Sequence, residues 1–107
     1  MQPARNINNN LTGEIIRLVC EEWGVTRADL MSRSHRRPLP WVRSQLCHSL
    51  RQYAGHDSIS CAALLKIDDQ SVCGYKKRYP KMLVTYVPFK ERDERIHAAL
   101  KALLATK

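Results

Sequence analysis

Apolar residues recur every three or four positions along most of this chain, which is the spacing of helices that bury one side. The first predicted helix spans about residues 12–23, and its buried stripe is expected to comprise Ile15, Ile16, Val19, Cys20 and Trp23. Five more helices are predicted, at residues 27–31, about 41–54, 58–66, about 69–79 and about 89–105. Residues 81–87 are ambiguous, because they favour a strand that would have no partner.

Capping residues and helix breakers set the limits of these helices. Gly24 fits the position just past the first helix, and Thr26 is suited to cap the second. Ser58 and Asp68 are predicted to cap the fourth and fifth helices. Pro80 must kink or end the fifth helix, because proline has no backbone N–H to donate.

The fourth and fifth predicted helices are short, adjacent and joined by a tight turn, which is the pattern of a helix-turn-helix. The fifth runs into the positively charged residues 76–78. In such a pair the second helix enters the major groove of DNA. We therefore expect one all-α helix-turn-helix domain over residues 11–107, after a flexible polar arm, residues 1–10.

Positive charge is concentrated in two parts of the chain. The sequence holds 18 Lys and Arg against 10 Asp and Glu, a net charge of +8. Most of this excess lies in residues 27–51 and 66–81. Such a distribution is typical of a surface that binds a polyanion such as nucleic acid. The alternative is a solvated basic surface that serves solubility.

Helical geometry separates the fifth predicted helix into a core side and a polar side. The core side is expected to hold Val72 and Tyr79, flanked by Cys73 and Tyr75. The polar side is expected to hold Gln70, Ser71, Gly74, Lys77 and Arg78. A glycine in mid-helix costs about 1 kcal/mol relative to alanine, so Gly74 indicates a close approach to a groove, a kink or neutral drift.

The chemistry of each polar side chain suggests its role. The amide of Gln70 is suited to a bidentate contact with adenine N6 and N7. Ser71 suits a base or a phosphate, whereas Lys77 and Arg78 suit phosphates. Asp69 either has a structural role or accepts a hydrogen bond from the amine of a cytosine.

A loop rich in arginine precedes the third predicted helix and forms a second candidate contact. It carries Arg33, Arg36 and Arg37, and Arg43 lies just beyond it, outside the predicted buried stripe of the third helix. Arginines on such a loop lie along the DNA backbone or enter the minor groove. The alternative is a loop that is simply solvated.

No pattern in the sequence indicates catalytic residues, a cofactor or a metal site. The cysteines are too widely spaced for a zinc motif and are expected to be buried free thiols in a reducing cytoplasm: Cys20, Cys47, Cys61 and Cys73. No apolar run approaches the ~20 residues of a membrane span, and there is no signal sequence. We therefore expect a soluble cytoplasmic protein that is not an enzyme and binds neither a membrane nor a small-molecule substrate.

Three short segments share a pattern with one known family. Residues 23–30 match its aromatic-(Gly/Asn)-Val-(Ser/Thr)-x-x-(Asp/Glu)-Leu segment. The basic loop, residues 32–37, precedes a helix with Gln45 where the family has Arg-Gln. Residues 68–72 are in register with its Asp-His-(Thr/Ser)-(Thr/Ser)-Val signature. Over roughly residues 12–104 the chain thus resembles the C-terminal DNA-binding domain of the bacterial replication initiator DnaA.

The resemblance implies a Trp-repressor-like helical fold. In that fold the fifth helix enters the major groove and the basic loop reaches the neighbouring minor groove. Asp69 and Gln70 replace the histidine and threonine of the family signature, so a DNA site other than the usual DnaA box is expected. The chain has no phosphate-binding Gly-x-x-x-x-Gly-Lys-(Ser/Thr) loop, as expected of a stand-alone relative without the ATPase module.

Two functions from different classes fit these features. The first is sequence-specific binding of double-stranded DNA, in replication initiation or transcription regulation. The second is a protein-interaction module that binds a replication or transcription protein and retains the fold without base-specific DNA binding. The substitution of the signature histidine by Asp69 favours the second function. RNA binding has less support, because no stacking aromatic motif is present.

Overall fold

The computed structural model of this protein describes residues 9–32, 34, 36 and 38–105, except for the side chains of Asn9 and Asp69. Six helices lie within these residues: α1 (Asn9–Trp23), α2 (Arg27–Met31), α3 (Leu39–Ala54), α4 (Ser58–Leu65), α5 (Asp69–Thr85) and α6 (Val87–Ala105). No strand occurs in this part of the chain, so the all-α prediction is confirmed. None of the six helices is both long enough and apolar enough to cross a bilayer.

α3 lies at the centre of the fold and contacts each of the other five helices. The apolar residues predicted to form its buried stripe include Val42, Leu46 and Leu50, and these three are buried. In the middle of α3 burial extends round the whole circumference, because every residue from Val42 to Cys47 is buried. The prediction that Arg43 lies outside the buried stripe is therefore wrong. This residue is only 1 % exposed, because neighbouring elements cover α3 on several sides.

α6 closes the fold by packing against α1 and α5. Its buried residues include Phe89, Ile96 and Leu100. Toward α1, the guanidinium of Arg92 lies 4.8 Å from the ring centroid of Trp23 and donates to the backbone carbonyl of Glu22. Arg95 forms an ion pair with the Glu22 carboxylate. The last helix is thereby fixed to the first.

The N-terminal helix caps agree with the sequence at two of the three predicted positions and differ at one. Thr26 caps α2 in a reciprocal pair with Asp29, and Asp68 caps α5 by accepting from the Ser71 backbone N–H at 2.7 Å. At α4 the cap is Asp57 and not Ser58. Asp57 accepts from the Ser60 N–H at 2.8 Å, and the Ser60 hydroxyl accepts from the Asp57 N–H at 3.0 Å. Two backbone donors are satisfied in this register.

Several helices extend beyond their predicted limits. α1 begins at Asn9, three residues before the predicted start, and residues 1–8 of the predicted arm lie outside the described residues. α5 does not end at Pro80 but continues to Thr85. A proline removes only one N–H from the helix, and Pro80 itself is exposed. The ambiguous segment 81–87 is therefore helical up to Thr85, and Tyr86 separates α5 from α6.

Candidate nucleic-acid interface

The solvent-facing side of α5 carries the polar residues that the sequence assigned to it. Gln70, Gly74, Lys77 and Arg78 are exposed, and Ser71 is partly buried. The opposite side is buried through Val72, Tyr75 and Tyr79. The predicted division of α5 into two sides is thus confirmed for these residues. The side chain of Asp69 lies outside the described part of the structure.

Gly74 stands on this surface without any packing reason for a glycine. A Cβ atom built at Gly74 meets no heavy atom within 4 Å. Its φ is not positive, so an L side chain would be unstrained. The fold therefore tolerates a larger residue at this position, although glycine costs about 1 kcal/mol in mid-helix.

The turn between α4 and α5 is fixed by hydrogen bonds at the end of α4. Lys66 adopts the left-handed conformation (φ 58°), and its N–H donates to the carbonyls of Ala62 and Ala63. The N–H of Ile67 donates to the carbonyl of Ala62 at 3.0 Å. This 6→1 bond closes the end of α4 as in a Schellman motif. Three residues, 66–68, therefore suffice to connect the two helices.

Serine hydroxyls form hydrogen bonds at the described positions of the basic loop between α2 and α3, which are Ser32, Ser34 and Arg36. Ser32 Oγ donates to the carbonyl of Asp29 at 2.7 Å and accepts from the N–H of Ser34 at 3.3 Å. Ser34 Oγ accepts in turn from the N–H of Arg36 at 3.2 Å. Arg36 is exposed, as expected of a residue that contacts a ligand. Two other arginines assigned to this loop, Arg33 and Arg37, lie outside the described residues.

Arg43 connects this loop to the interior. Its Nε donates to the carbonyl of Leu30 at 3.0 Å, and its Nη1 donates to the carbonyl of Ser34 at 2.7 Å. Its Nη2 donates to the carbonyl of Ser32 at 2.9 Å. Nη1 also lies 3.5 Å from the hydroxyl of Tyr75 on α5. Sequence analysis placed Arg43 on the DNA-contacting surface, whereas its guanidinium lies beneath the loop and donates to these backbone carbonyls.

A cleft of about 340 Å³ separates the loop from the start of α5. Its lining comprises Ser32, Arg43, Lys66, Ile67, Asp68, Ser71 and Tyr75. A second hollow of about 210 Å³ is lined by Ser71, Gly74, Tyr75 and Arg78. The two hollows share Ser71 and Tyr75, so the concave surface follows α5 from the loop as far as Arg78. The guanidinium of Arg78 lies 5.8 Å from the centroid of the Tyr75 ring.

The cap of α5 places a negative charge beside the cleft. Hydrogen bonds from Ser71, first the backbone N–H and then the hydroxyl, lower the pKa of Asp68. Asp68 therefore remains ionised at neutral pH. Its carboxylate is committed to the helix cap, where it favourably meets the positive end of the helix dipole.

A polar cluster behind α5 was not predicted from the sequence. Asp93 Oδ1 accepts from Gln45 Nε2 at 3.0 Å and from the Tyr79 hydroxyl at 2.8 Å. His97 Nε2 lies 3.2 Å from the same oxygen. The Tyr53 hydroxyl and His97 Nδ1 are hydrogen-bonded at 2.6 Å. The cluster joins α3, α5 and α6 beneath the exposed side of α5.

The sequence did contain a signal for this cluster. Asp93 is four residues after Phe89 and three before Ile96, so it occupies a buried position in the stripe of α6. A carboxylate at such a position requires hydrogen-bonding partners inside the fold. Gln45, in the middle of the α3 core, supplies one.

Burial changes the acid–base behaviour of the cluster. Burial, and next the hydrogen bond to Asp93, raise the pKa of Tyr79, so its hydroxyl stays protonated and donates. Burial, and next the proximity of His97, lower the pKa of His48. The His48 and Tyr79 rings are stacked, with centroids 3.7 Å apart. At neutral pH the side chains of His48 and Tyr79 are therefore both uncharged.

The cysteines do not all have the environment that the sequence suggested. Cys47 and Cys61 are buried and Cys20 is partly buried, but Cys73 is exposed. The prediction of a buried thiol is wrong for Cys73, because it lies on the solvent side of α5. Among the described residues, no group of three or more His, Cys, Asp and Glu is arranged to hold a metal ion.

No family model, curated protein or solved structure matches this chain. The resemblance to the initiator domain therefore stays a prediction from three short segments.

Proposed function

We propose that this protein binds double-stranded DNA in a sequence-specific manner, in replication initiation or transcription regulation. α4 and α5 act as a helix-turn-helix, and residues 69–79 of α5 enter the major groove. The basic loop, residues 33–37, lies near the adjacent minor groove. One observation carries this proposal: Ser32, at the start of the basic loop, lines the same cleft as Ser71 of α5, and Gly74 and Arg78 line the adjoining hollow.

The geometry of the α4–α5 pair supports a helix-turn-helix. The two helices pack against each other and are joined by only three residues. The hydrogen bonds of Lys66 and Ile67 fix the turn, and Asp68 begins α5 at once. A recognition helix needs this kind of support, since its orientation determines which side chains reach base edges.

The candidate DNA-contacting residues of α5 with described side chains each have a role in this proposal. Gln70, at the start of the helix, makes a bidentate contact with an adenine. Ser71 contacts a base or a phosphate, and Lys77 and Arg78 contact phosphates. Gly74 lets the backbone approach the groove, since it presents no side chain between Gln70 and Lys77.

Phosphate binding also fits the overall charge. A net charge of +8 on 107 residues attracts a polyanion over long range. Such attraction does not select a DNA sequence. Specificity therefore depends on base contacts of Gln70 and Ser71 and on the shape of the groove that the loop contacts. Affinity must therefore fall with salt, whereas the preferred sequence must not change.

Selection from a randomised duplex library at two salt concentrations tests the proposal. An enriched sequence is expected at both concentrations. The double variant Lys77→Ala, Arg78→Ala should weaken binding of that sequence and reduce the slope of log K against log salt by about 2, or about 0.9 per lost phosphate contact.

The matched control removes two exposed lysines of α6, Lys90→Ala with Lys101→Ala, which lowers the net charge equally. Equal losses in the two double variants would contradict a specific α5 surface and indicate a general charge effect. Retention without any enriched sequence would mean non-specific phosphate binding.

A second candidate is a protein-interaction module. An apolar surface is exposed at the junction of α5 and α6, where Val84 is 83 % and Val87 66 % exposed. The rings of Trp41 and Tyr86 lie beside it, with centroids 4.5 Å apart. Exposed apolar surface of this kind is used to bind proteins. Failure to retain any duplex at low salt would favour this candidate.

A further inference from the structure

The Arg43 guanidinium has the full set of partners that an arginine can engage. Its hydrogen bonds are one from Nε, two from Nη1 and two from Nη2, the last reaching the carbonyls of Asp29 at 3.3 Å and Ser32 at 2.9 Å. An arginine has five N–H donors, so none remains for a phosphate. Since the residue is also 1 % exposed, direct contact with DNA is excluded in this conformation.

These partners belong to three different parts of the fold. The carbonyls of Asp29 and Leu30 end α2, where helix geometry leaves backbone acceptors without partners. The carbonyls of Ser32 and Ser34 belong to the basic loop. The Tyr75 hydroxyl belongs to the buried side of α5. A single side chain of α3 therefore holds the loop at a set distance from α5.

Only an arginine is suited to this task. The planar fork of the guanidinium directs donors to several carbonyls at once, whereas a lysine ammonium offers three donors from one point. The always-charged group also strengthens each bond to a neutral carbonyl. Replacement by lysine keeps the charge but frees part of the loop.

We infer that Arg43 is a positioning residue for DNA binding: it holds the basic loop at the spacing from α5 that two neighbouring grooves require, and it acts through Arg36 and not on the DNA. This inference rests on the proposed function. Ser32 and Ser34, whose carbonyls Arg43 already holds, do not have to be immobilised on binding, so the cost of ordering them is removed from the binding step.

The test is a double-mutant cycle on a duplex of about two helical turns that carries the selected sequence. Arg43→Lys alone should weaken binding about tenfold, because loop ordering then opposes binding. In an Arg36→Ala background the same substitution should reduce DNA affinity much less, since the DNA contact of Arg36 that Arg43 positions is already lost. In a Lys77→Ala background Arg43→Lys should still reduce DNA affinity about tenfold.

Native-state hydrogen exchange of the free protein provides a readout that does not depend on DNA. Arg43→Lys should speed exchange of the N–H groups of residues 32–36 and leave the core of α1 and α3 protected. Uniform acceleration throughout the fold would overturn the inference and assign Arg43 a general stabilising role. Equal costs in the Arg36→Ala and Lys77→Ala backgrounds would overturn it as well.

A wild-type measurement covers the case in which Arg43→Lys does not fold. The guanidinium NMR signals of Arg43 should exchange slowly with water in the free protein, and they should keep their shifts when the duplex is added. Large shifts of these signals would show a direct phosphate contact and overturn the inference. If wild-type protein binds no duplex at all, the proposed function fails, yet the exchange experiment still reports whether Arg43 orders the loop.

Discussion

The hydroxyl of Tyr79 donates a 2.8 Å hydrogen bond to the carboxylate of Asp93, and this bond joins the buried side of α5 to α6. The same carboxylate oxygen accepts from Gln45 of α3. The middle of α5 is thus held from behind by polar contacts, while its exposed side carries the residues proposed to contact DNA. Loss of the hydrogen bonds to Asp93 should lower the stability of the fold more directly than it lowers DNA affinity.

Asp93→Asn should destabilise the protein by about 2 kcal/mol, because an amide is a weaker acceptor than a carboxylate and turns an N–H₂ group toward buried partners. Urea unfolding measures the change. Glu94→Gln is the matched control, since Glu94 is the exposed neighbour on α6 and should stay within about 0.5 kcal/mol of wild type. If both variants unfold at the wild-type midpoint, the cluster does not contribute as argued.

Stability should fall when the pH drops below about 6.5, the ordinary pKa of histidine. Burial, and next the nearby His97, lower the pKa of His48 in the folded protein. As the pH falls, His48 is therefore protonated at a higher pH in the unfolded chain than in the folded chain. Stability therefore rises with pH through this window and is lost as the pH falls toward the folded pKa. Asp93 and Arg51 also act on His48, in opposite directions.

His48→Gln should reduce this pH dependence, as measured by urea midpoints at about pH 7.5 and 5.5, on either side of the ordinary histidine pKa. Part of the dependence should remain, because burial also lowers the pKa of His56. An unchanged pH dependence in the variant would show that His48 does not titrate differently on folding.

Gly74→Ala should stabilise the protein by about 1 kcal/mol, since alanine is the better helix former and meets no neighbour there. The same substitution should weaken duplex binding if the backbone approaches the groove at this point. Gly13→Ala is the matched control: Gly13 lies in α1, and its Cβ would also meet open space. It should raise the melting temperature without changing DNA affinity. Equal DNA affinity of both variants would remove Gly74 from the interface.

Gln70→Ala should change sequence preference more than overall affinity. Loss of a bidentate contact costs about 1–3 kcal/mol of discrimination at one base pair, so the preference for adenine at that position should disappear. Repeating the library selection with the variant measures this. Gln52→Ala, at an exposed position of α3, should leave the selected sequence unchanged. A selected sequence that is the same for Gln70→Ala and wild type would exclude base readout by Gln70.

Local sequence features predicted the helices and the polarity of α5 because both depend on near neighbours. The 3.6-residue period places Val72 and Tyr79 inside and Gln70 and Lys77 outside whatever the rest of the fold does. Arg43 shows where this reasoning stops. A helix that packs on one side leaves its opposite side exposed to solvent. α3 is covered on several sides, and only the tertiary arrangement determines how many sides of a helix are covered.

The same limit explains why the hydrogen-bonded cluster escaped prediction. Gln45 and Asp93 are 48 residues apart in the chain, and no local rule pairs them. By contrast, the capping of α2 by Thr26 involves a partner three residues away and was correctly predicted. The cap of α4 differed by one residue, since Asp57 and Ser58 are both competent caps and the side chain of Ser60 favours the first.

The attachment of α6 to α1 determines the smallest piece of this chain that can be expected to fold. Every residue proposed to touch DNA precedes Tyr79, yet Arg95 of α6 pairs with Glu22, 73 positions earlier. A fragment ending after α5 would retain the whole proposed recognition surface. It would, however, expose the apolar residues that Phe89 covers, and Gln45 would lose the Asp93 carboxylate to which it donates. The recognition surface is therefore not a transplantable module, and grafting it onto another protein would require α6 to accompany it.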